Sequence, residues 1–312
     1  MDNGVKDYLN EINERFGIRR SVEQKEAFRK YVKEEAVTYG YSCDVEVLDK
    51  KHHNIVIGNP LAAKAVFTAH YDTPAAGIFP NLMLPRNFAL SMLYSFGWPL
   101  LIAFACLGIA FIGKIAGWYD IAMTLVVYLV LYYTVYFYLC RGRQNKNNKN
   151  DNTSGVSVVM SLMAQNPGKK DIAFILFDNE EKGLLGSKAY SKKYKKEMEK
   201  KPLINLDCVG NGKHIVGIIK EDAENLAETQ LLKDVLQAEE PFTVQFFPMK
   251  GSRSRSDYVN FPCGMDLMAA HYKKGIGFYC GRIHTKYDTV ADTENIGYLT
   301  TCLSRFISEL EK

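Results

Sequence analysis

The sequence predicts an α/β fold with a mixed, largely parallel central sheet, plus a two-helix transmembrane hairpin insertion. Three observations carry this reading. Short apolar runs stop at His70, Asp178 and Asp207, as buried strands of a largely parallel sheet do. Helix-like stretches alternate with those runs. Two long apolar stretches, Phe88 to Ile112 and Ile121 to Cys140, hold no formal charge.

The elements follow in order. Asp7 to Tyr39 is polar, with Ile12, Phe16, Phe28 and Val32 at helical spacing, and reads as one or two amphipathic helices. Asp44 to Leu48 alternates as a half-buried strand does, and Asn54 to Ile57 is its expected hairpin partner. Ala65 to Ala69 is a buried strand ending at His70. After the apolar stretches, Val156 to Ala164 reads as a helix and Asp171 to Phe177 as a strand leading into Asp178-Asn179-Glu180-Glu181. Leu184 to Lys200 reads as a helix, and Leu203 to Leu206 as a strand ending at Asp207. In open α/β sheets, sites form at the carboxyl ends of strands. No internal repeat is present, and residues 144–150 form a polar, Asn-rich linker.

The first apolar stretch has 25 residues. At about 1.5 Å per residue it reaches roughly 37 Å, enough to cross a ~30 Å hydrocarbon core. The second has 20, also enough. Gly113 to Asp120, with Trp118 and Tyr119, is the expected tight turn. Tyr132, Tyr133, Tyr136, Phe137 and Tyr138 crowd the other end, as an interfacial aromatic belt would. A buried helical pair or a dimerisation arm is the competing reading. Arg86, Arg141, Arg143, Lys146 and Lys149 flank the main domain, whereas the turn has only Lys114, offset by Asp120. The positive-inside rule then puts the main domain and both termini in the cytoplasm. Residues 1–86 and 141–312 form one discontinuous domain, large enough to bury a full core, and 87–140 form the hairpin.

The net charge of +4 is too mild to argue for nucleic acid, and no zinc-finger spacing supports such a partner. Seven scattered cysteines with no paired spacing read as reduced thiols in a cytosolic portion. The charged, helix-like start lacks the layout of a secretory signal.

Six residues form the chemical constellation: His70, Asp151, Glu180, Glu181, Asp207 and His284. Two divalent cations about 3.5–4 Å apart can activate water and polarise an amide carbonyl. Such a pair needs a bridging carboxylate plus one His and one carboxylate per metal. A further carboxylate must stay free to move protons. The six residues fill those roles with none left over. Asp72 can accept the free imidazole proton of His70 and fix its tautomer. Each piece alone is commonly structural; the ordered set is what points to a site.

Six segments carry a specific resemblance: Ala69-His70-Tyr71-Asp72-Thr73, Asn150-Asp151-Asn152-Thr153-Ser154-Gly155, Glu180-Glu181-Lys182-Gly183-Leu184-Leu185-Gly186-Ser187, Asn205-Leu206-Asp207-Cys208-Val209-Gly210, Arg255-Ser256-Asp257-Tyr258 and Ile283-His284-Thr285-Lys286-Tyr287-Asp288-Thr289. In this order they resemble metallopeptidase family 28, the bacterial leucyl aminopeptidase-like enzymes with a dinuclear zinc centre. The resemblance implies a zinc-exopeptidase-like three-layer fold and two Zn2+ ions. It implies that His70 and Asp207 bind one zinc, Glu181 and His284 the other, and that Asp151 bridges them. Glu180 is the implied general base, with Asp72 orienting His70 and Asp288 positioning the His284 loop. Two departures stand out. Relatives have a short loop where this chain has 78 residues, Thr73 to Asn150. Where relatives often have an oxyanion-donating side chain, this chain has Arg253 and Arg255, candidates for charge stabilisation or for binding a substrate carboxylate.

The leading expectation is a membrane-anchored, zinc-dependent aminopeptidase that hydrolyses N-terminal residues from peptides at the cytoplasmic face. Its partners are a peptide, itself membrane-associated, and the lipid bilayer; the oligomeric state is open. A carboxypeptidase or glutaminyl cyclase of the same family is the alternative, and a non-catalytic membrane scaffold a third. Retention of Glu180 argues against the scaffold, because metal binding alone does not need it. His52, His53 and His214 read as surface residues, and His271 as a core histidine.

Overall fold

The computed structural model describes residues 6–79, 81–140 and 143–312. The readings that fall on residues 1–3, on Arg141 and on the Cys140 side chain lie outside the described residues.

The amphipathic N-terminal stretch forms two helices, α1 (Tyr8–Phe16) and α2 (Val22–Thr38). Asp7 caps the first by accepting the Asn10 N–H. Ser21 and Gln24 form a reciprocal capping box on the second, which fixes where it begins. Strands β1 (Cys43–Leu48) and β2 (His52–Ile57) pair antiparallel, as their alternation predicts. The continuous apolar runs become β3 (Ala65–His70), β4 (Ile172–Phe177) and β5 (Leu203–Leu206), buried throughout. They lie side by side and parallel, in the order β4-β3-β5, so their carboxyl ends share one edge of the sheet.

Four more strands complete the sheet: β6 (His214–Ile219), β7 (Thr243–Pro248), β8 (Gly264–Lys273) and β9 (Gly277–Tyr279). The order is β1-β2-β4-β3-β5-β8-β6-β7, with β9 added to the far end of β8. The pairings β2–β4, β6–β8 and β8–β9 are antiparallel, so the sheet is mixed. Alternate side chains of β3 enter opposite cores. Ala65, Phe67 and Ala69 join α1, α2, α5 (Gly155–Gln165) and α8 (Thr293–Leu310) on one face. Val66 joins Ile175, Phe177 and Tyr190 of α6 (Leu185–Lys193) on the other. Helix α7 (Ala227–Gln237) packs beside α8, and three layers result.

Helix α6 stops at Lys193, short of the expected Lys200. Both Lys193 and the Tyr194 hydroxyl bind Glu46 of β1, which pulls the chain out of the helix and into turns.

The uncharged stretches form α3 (Phe88–Ile115) and α4 (Ile121–Cys140), packed against each other. The turn is tighter than Gly113 to Asp120, because α3 continues to Ile115. Tyr119 explains this: its ring lies where a side chain at Gly113 would be, and its hydroxyl donates to the Ala110 carbonyl at 2.7 Å. The apolar windows of the two helices are only 17% and 6% buried. They are therefore not a buried pair within this chain. Phe104, Ile112, Val130 and Tyr138 are among many apolar side chains left outward.

The hairpin is tied to the sheet domain by backbone hydrogen bonds at its feet. Ala76 donates to Arg143 at 2.8 Å and Ile78 to Leu139 at 3.2 Å. Phe79 stacks on Trp98 of α3 with ring centroids 4.3 Å apart.

One buried ion pair joins α2 to the end of β4: Lys25 Nζ lies 2.6 Å from Asp178 Oδ1. Breaking a buried pair leaves an uncompensated charge, at a cost of roughly 3–5 kcal/mol. Lys25→Met should lower unfolding stability by about that amount. Chemical denaturation in detergent checks it; a loss under about 1 kcal/mol would mean that water reaches Asp178.

Candidate metal centre

The sheet edge gathers side chains from five places in the chain. His70 ends β3, and Asp207 follows β5. Glu180 and Glu181 open a short turn (Glu180–Lys182) two residues after Asp178, which itself follows β4. Asp151 sits in the turn Asn150–Ser154 that leads into α5. His284 lies on the loop after β9.

Asp151 stands between the two imidazoles. Its Oδ1 is 3.3 Å from His70 Nε2, and its Oδ2 is 3.0 Å from His284 Nε2. His70 Nε2 also lies 3.6 Å from Asp207 Oδ1, and His284 Nε2 lies 3.4 Å from Glu181 Oε2. Three groups of side chains could hold a metal ion, His70–Asp151–Asp207, Asp151–Glu181–His284 and His70–Glu180–Glu181, each with its atoms within 4.8 Å of one another. A zinc ion with ligands at about 2.0–2.1 Å has tetrahedral edges of roughly 3.4 Å, so this spacing suits the ion. Glu181 Oε1 and Asp207 Oδ1 are buried without a hydrogen-bond partner, which suits oxygens that can ligate a cation. The donor set therefore fits zinc.

Backbone N–H groups hold the ligands in place. The Asp72 carboxylate accepts from Glu180 N at 3.0 Å and Glu181 N at 3.3 Å. His70 Nδ1 instead meets the Asp72 carbonyl oxygen at 3.0 Å, with the carboxylate at 3.6 Å. Asp72 thus orients His70 mainly through its backbone, because two amides already occupy its side chain. Asp288 behaves in the same way. Its oxygens accept from Asn150 N at 3.3 Å and Asp151 N at 3.0 Å, so it grips the Asp151 turn more than the His284 loop. The Asn152 amide joins that turn to the end of β5 through Leu206 O and Cys208 N.

Beneath the site lies Arg19, fully buried, which donates to the carbonyls of Tyr71 and Phe16 and to Thr153 Oγ1. Burial lowers its pKa to about 10, against the pull of Asp72 and Asp151. Asn179, Cys208 and His284 have φ of 57°, 56° and 57°. Each such left-handed non-glycine residue costs about 1–3 kcal/mol, and such strain gathers at functional sites.

Crowding governs the charges. Burial raises Glu180, as do Glu181, Asp257 and Asp207, while His70 opposes. Burial and Asp151 raise Glu181. Burial disfavours ionised Asp151, yet His284 and His70 hold its carboxyl well below the usual range.

The expectation of six residues with none left over missed Asp257. It is fully buried, both of its oxygens lack a hydrogen-bond partner, and burial pushes its carboxyl up to about 7. The Arg255-Ser256-Asp257-Tyr258 segment contained the signal. An acidic residue was there, but local sequence does not reveal that the turn Asp257–Asn260 buries it within electrostatic reach of Glu180, His70 and Asp207. Arg253 lies elsewhere. Its guanidinium covers the Phe88 ring at 5.2 Å and touches Met92, so it braces the first turns of α3. Arg255 is exposed, and neither arginine lines the cavity beside the carboxylates. His52, His53, His214 and His271 are half-buried on strands; His271, bonded to Asn211 at 3.1 Å, is no core residue.

A cavity of about 1040 Å³ opens over Glu181 and His284 and runs to Leu139 and Arg143 at the foot of α4. A second, of about 730 Å³, shares Gly77, Arg143 and Gln144 with it and is lined by Ile78, Phe137 and Tyr138.

Asp72→Asn would set an amide NH2 against backbone donors. With the fold intact by circular dichroism, zinc affinity should fall about 10- to 100-fold, as loss of supporting hydrogen bonds does elsewhere. Chelator competition measures it, and an unchanged affinity would show that the Glu180–Glu181 turn holds itself.

A search of curated proteins finds no sequence match. Solved structures resemble the fold. LapA aminopeptidase of Legionella pneumophila is 15% identical, over 99% of this chain and 69% of its own, with a TM-score of 0.57. LapB of the same organism is 14% identical, over 98% and 72%, with a TM-score of 0.59. Glutaminyl cyclase of Porphyromonas gingivalis is 15% identical, over 97% and 96%, with a TM-score of 0.57. At those identities the likeness is one of fold: a mixed, mostly parallel α/β sheet shared with aminopeptidases and cyclases. Residues 144–304, just over half of the chain, match Peptidase family M28, and the chain belongs to that family.

Proposed function

We propose that the protein is a membrane-anchored, zinc-dependent aminopeptidase working at the cytoplasmic face. The observation that carries the reading is Asp151, whose two oxygens face one imidazole each, at 3.3 and 3.0 Å. His70 and Asp207 would hold one zinc ion, Glu181 and His284 a second, with Asp151 shared. Bound zinc would supply Lewis acidity and ease deprotonation of water. Glu180 lies outside the two groups built on Asp151, though it also meets His70 and Glu181, and it is the proton carrier of this proposal. Its carboxylate takes a proton from the attacking water and passes it to the leaving amine as the C–N bond breaks. Asp72 keeps Glu180 aimed through the 3.0 Å bond to its backbone.

Anchoring is supported by the two long helices with outward apolar faces. The main domain of this proposal comprises residues 1–86 and 141–312, with 87–140 in the bilayer. Because the cavity over Glu181 ends at Leu139 and Arg143, substrates are proposed to be short hydrophobic peptides that approach along the membrane surface.

A cyclase reading draws on one observation: the chain and the Porphyromonas gingivalis cyclase cover nearly all of each other. Digestion of a peptide library by zinc-loaded protein separates the two. Aminopeptidase activity shortens peptides from the N-terminus, whereas a cyclase removes ammonia from N-terminal Gln. Glu180→Gln should cut turnover by about 10²- to 10⁴-fold while zinc binding persists. Full turnover in that variant would remove Glu180 from the mechanism.

For the topology, Trp118→Cys in intact cells should react with a membrane-impermeant maleimide added outside. Labelling only after lysis would reverse the orientation or take the turn out of the membrane.

A further inference from the structure

Beside the large cavity lies a small recess of about 110 Å³, the space of a few water molecules. Its wall has five cationic side chains, Arg20, Lys25, Arg29, Lys51 and Lys182, and one carboxylate, Asp178. Asp178 is already engaged, by Lys25 at 2.6 Å, the His53 N–H at 3.0 Å and the Asn179 amide at 2.9 Å. Among the described residues, Arg20, Lys51 and Lys182 have no ion-pair partner, and Arg29 donates only to the neutral Tyr71 hydroxyl. Lysines on a solvated face splay apart into water. Here Lys51 and Lys182 are exposed at the rim and Arg20 is half-buried, whereas Lys25 and Arg29 are 5% and 9% exposed and cannot do so. Three separate segments bring this charge to one point: the start of α2, the β1–β2 turn and the turn after β4.

We infer that the recess is a subsite for the terminal carboxylate of a short peptide whose first peptide bond lies at the Glu180–Glu181 turn. The inference rests on the peptidase reading, since it names the far end of that substrate. The recess shares Arg20, Lys25 and Lys182 with the large cavity, so the two are adjacent. Lys182 directly follows Glu181, about 3.8 Å along the backbone. The recess therefore adjoins that turn, within reach of the far end of a short extended peptide. A guanidinium and ammonium groups facing a carboxylate form strong charge-assisted bonds, and the Arg20 fork can take both oxygens. An anionic lipid headgroup is the rival occupant. No residue of the hairpin or of its feet lines the recess, which faces α2 and β2 instead.

The test uses full-length, zinc-loaded protein in detergent, with N-acetyl-Leu-Gly-Gly and its C-terminal amide as probes. Neither probe has the free N-terminal amine that an aminopeptidase substrate carries, so calorimetric binding does not depend on turnover. The free acid should bind at least about tenfold tighter than the amide, as a charge-assisted pair requires. In Arg20→Gln/Lys182→Gln that ratio should collapse toward one, and the rim variant Lys51→Gln should reduce it partially. Equal binding of acid and amide by the wild type overturns the subsite, as does a preference that survives all the variants. Binding to phosphatidylglycerol vesicles that falls in step with these substitutions, without an acid preference, overturns it in favour of lipid. If the acid preference holds but no unblocked peptide is cleaved, the aminopeptidase reading fails and the anion subsite stands.

Discussion

The mutual repulsion of buried carboxylates at one sheet edge is the constraint on which the rest depends. Asp72, Asp151, Asp207 and Asp257 are all nearly inaccessible, with Glu180 and Glu181 beside them. Charges so close and so poorly solvated are costly unless something positive meets each one. The chain supplies two imidazoles, the Arg19 guanidinium and several aimed backbone N–H groups. Asp72 and Asp288 each accept two backbone amides, which lets them act as fixed struts. The unpartnered oxygens belong to Glu181, Asp207 and Asp257. What the protein leaves unsatisfied is what a divalent cation would satisfy.

The hairpin shares that scaffold. Gly77 donates to the His284 carbonyl at 2.7 Å, and its neighbour Ile78 donates to Leu139 at 3.2 Å. A side chain at Gly77 would come within 3.1 Å of Leu139 O, so the strand that carries it runs tightly between the exit of α4 and the His284 loop. Further along, Asn81 bonds to Ile283, and Met83 pairs with Cys280. The feet of the hairpin therefore brace the loop that bears one of the two imidazoles. A long insertion between His70 and Asp151 is tolerated because its ends close onto a ligand loop instead of pushing the ligands apart.

Much of this was legible in the sequence. The runs before His70, Asp178 and Asp207 became adjacent parallel strands because short, charge-free, mostly apolar runs without polar alternation suit strands buried on both faces. The hairpin was legible because charge is absent over two whole spans. Other features depend on contacts across the chain and have no local signature. Nothing in Arg255-Ser256-Asp257-Tyr258 tells that Asp257 is aimed inward while Arg255 stays in solvent. Arg19 looks like an ordinary helix-flanking cation, yet its Nη2 donates to Thr153 Oγ1 at 3.1 Å. Sequence spacing brings Asp72 to His70 but cannot tell that its carbonyl, at 3.0 Å, lies nearer the imidazole than its carboxylate, at 3.6 Å.

The central claim is that Asp151 is shared between two cations. X-ray absorption at the zinc edge of the purified, zinc-loaded protein tests it most directly. The account predicts nitrogen and oxygen ligands with a metal–metal shell at about 3.5–4 Å. A single-zinc spectrum at saturating metal, with no metal–metal shell, would contradict it.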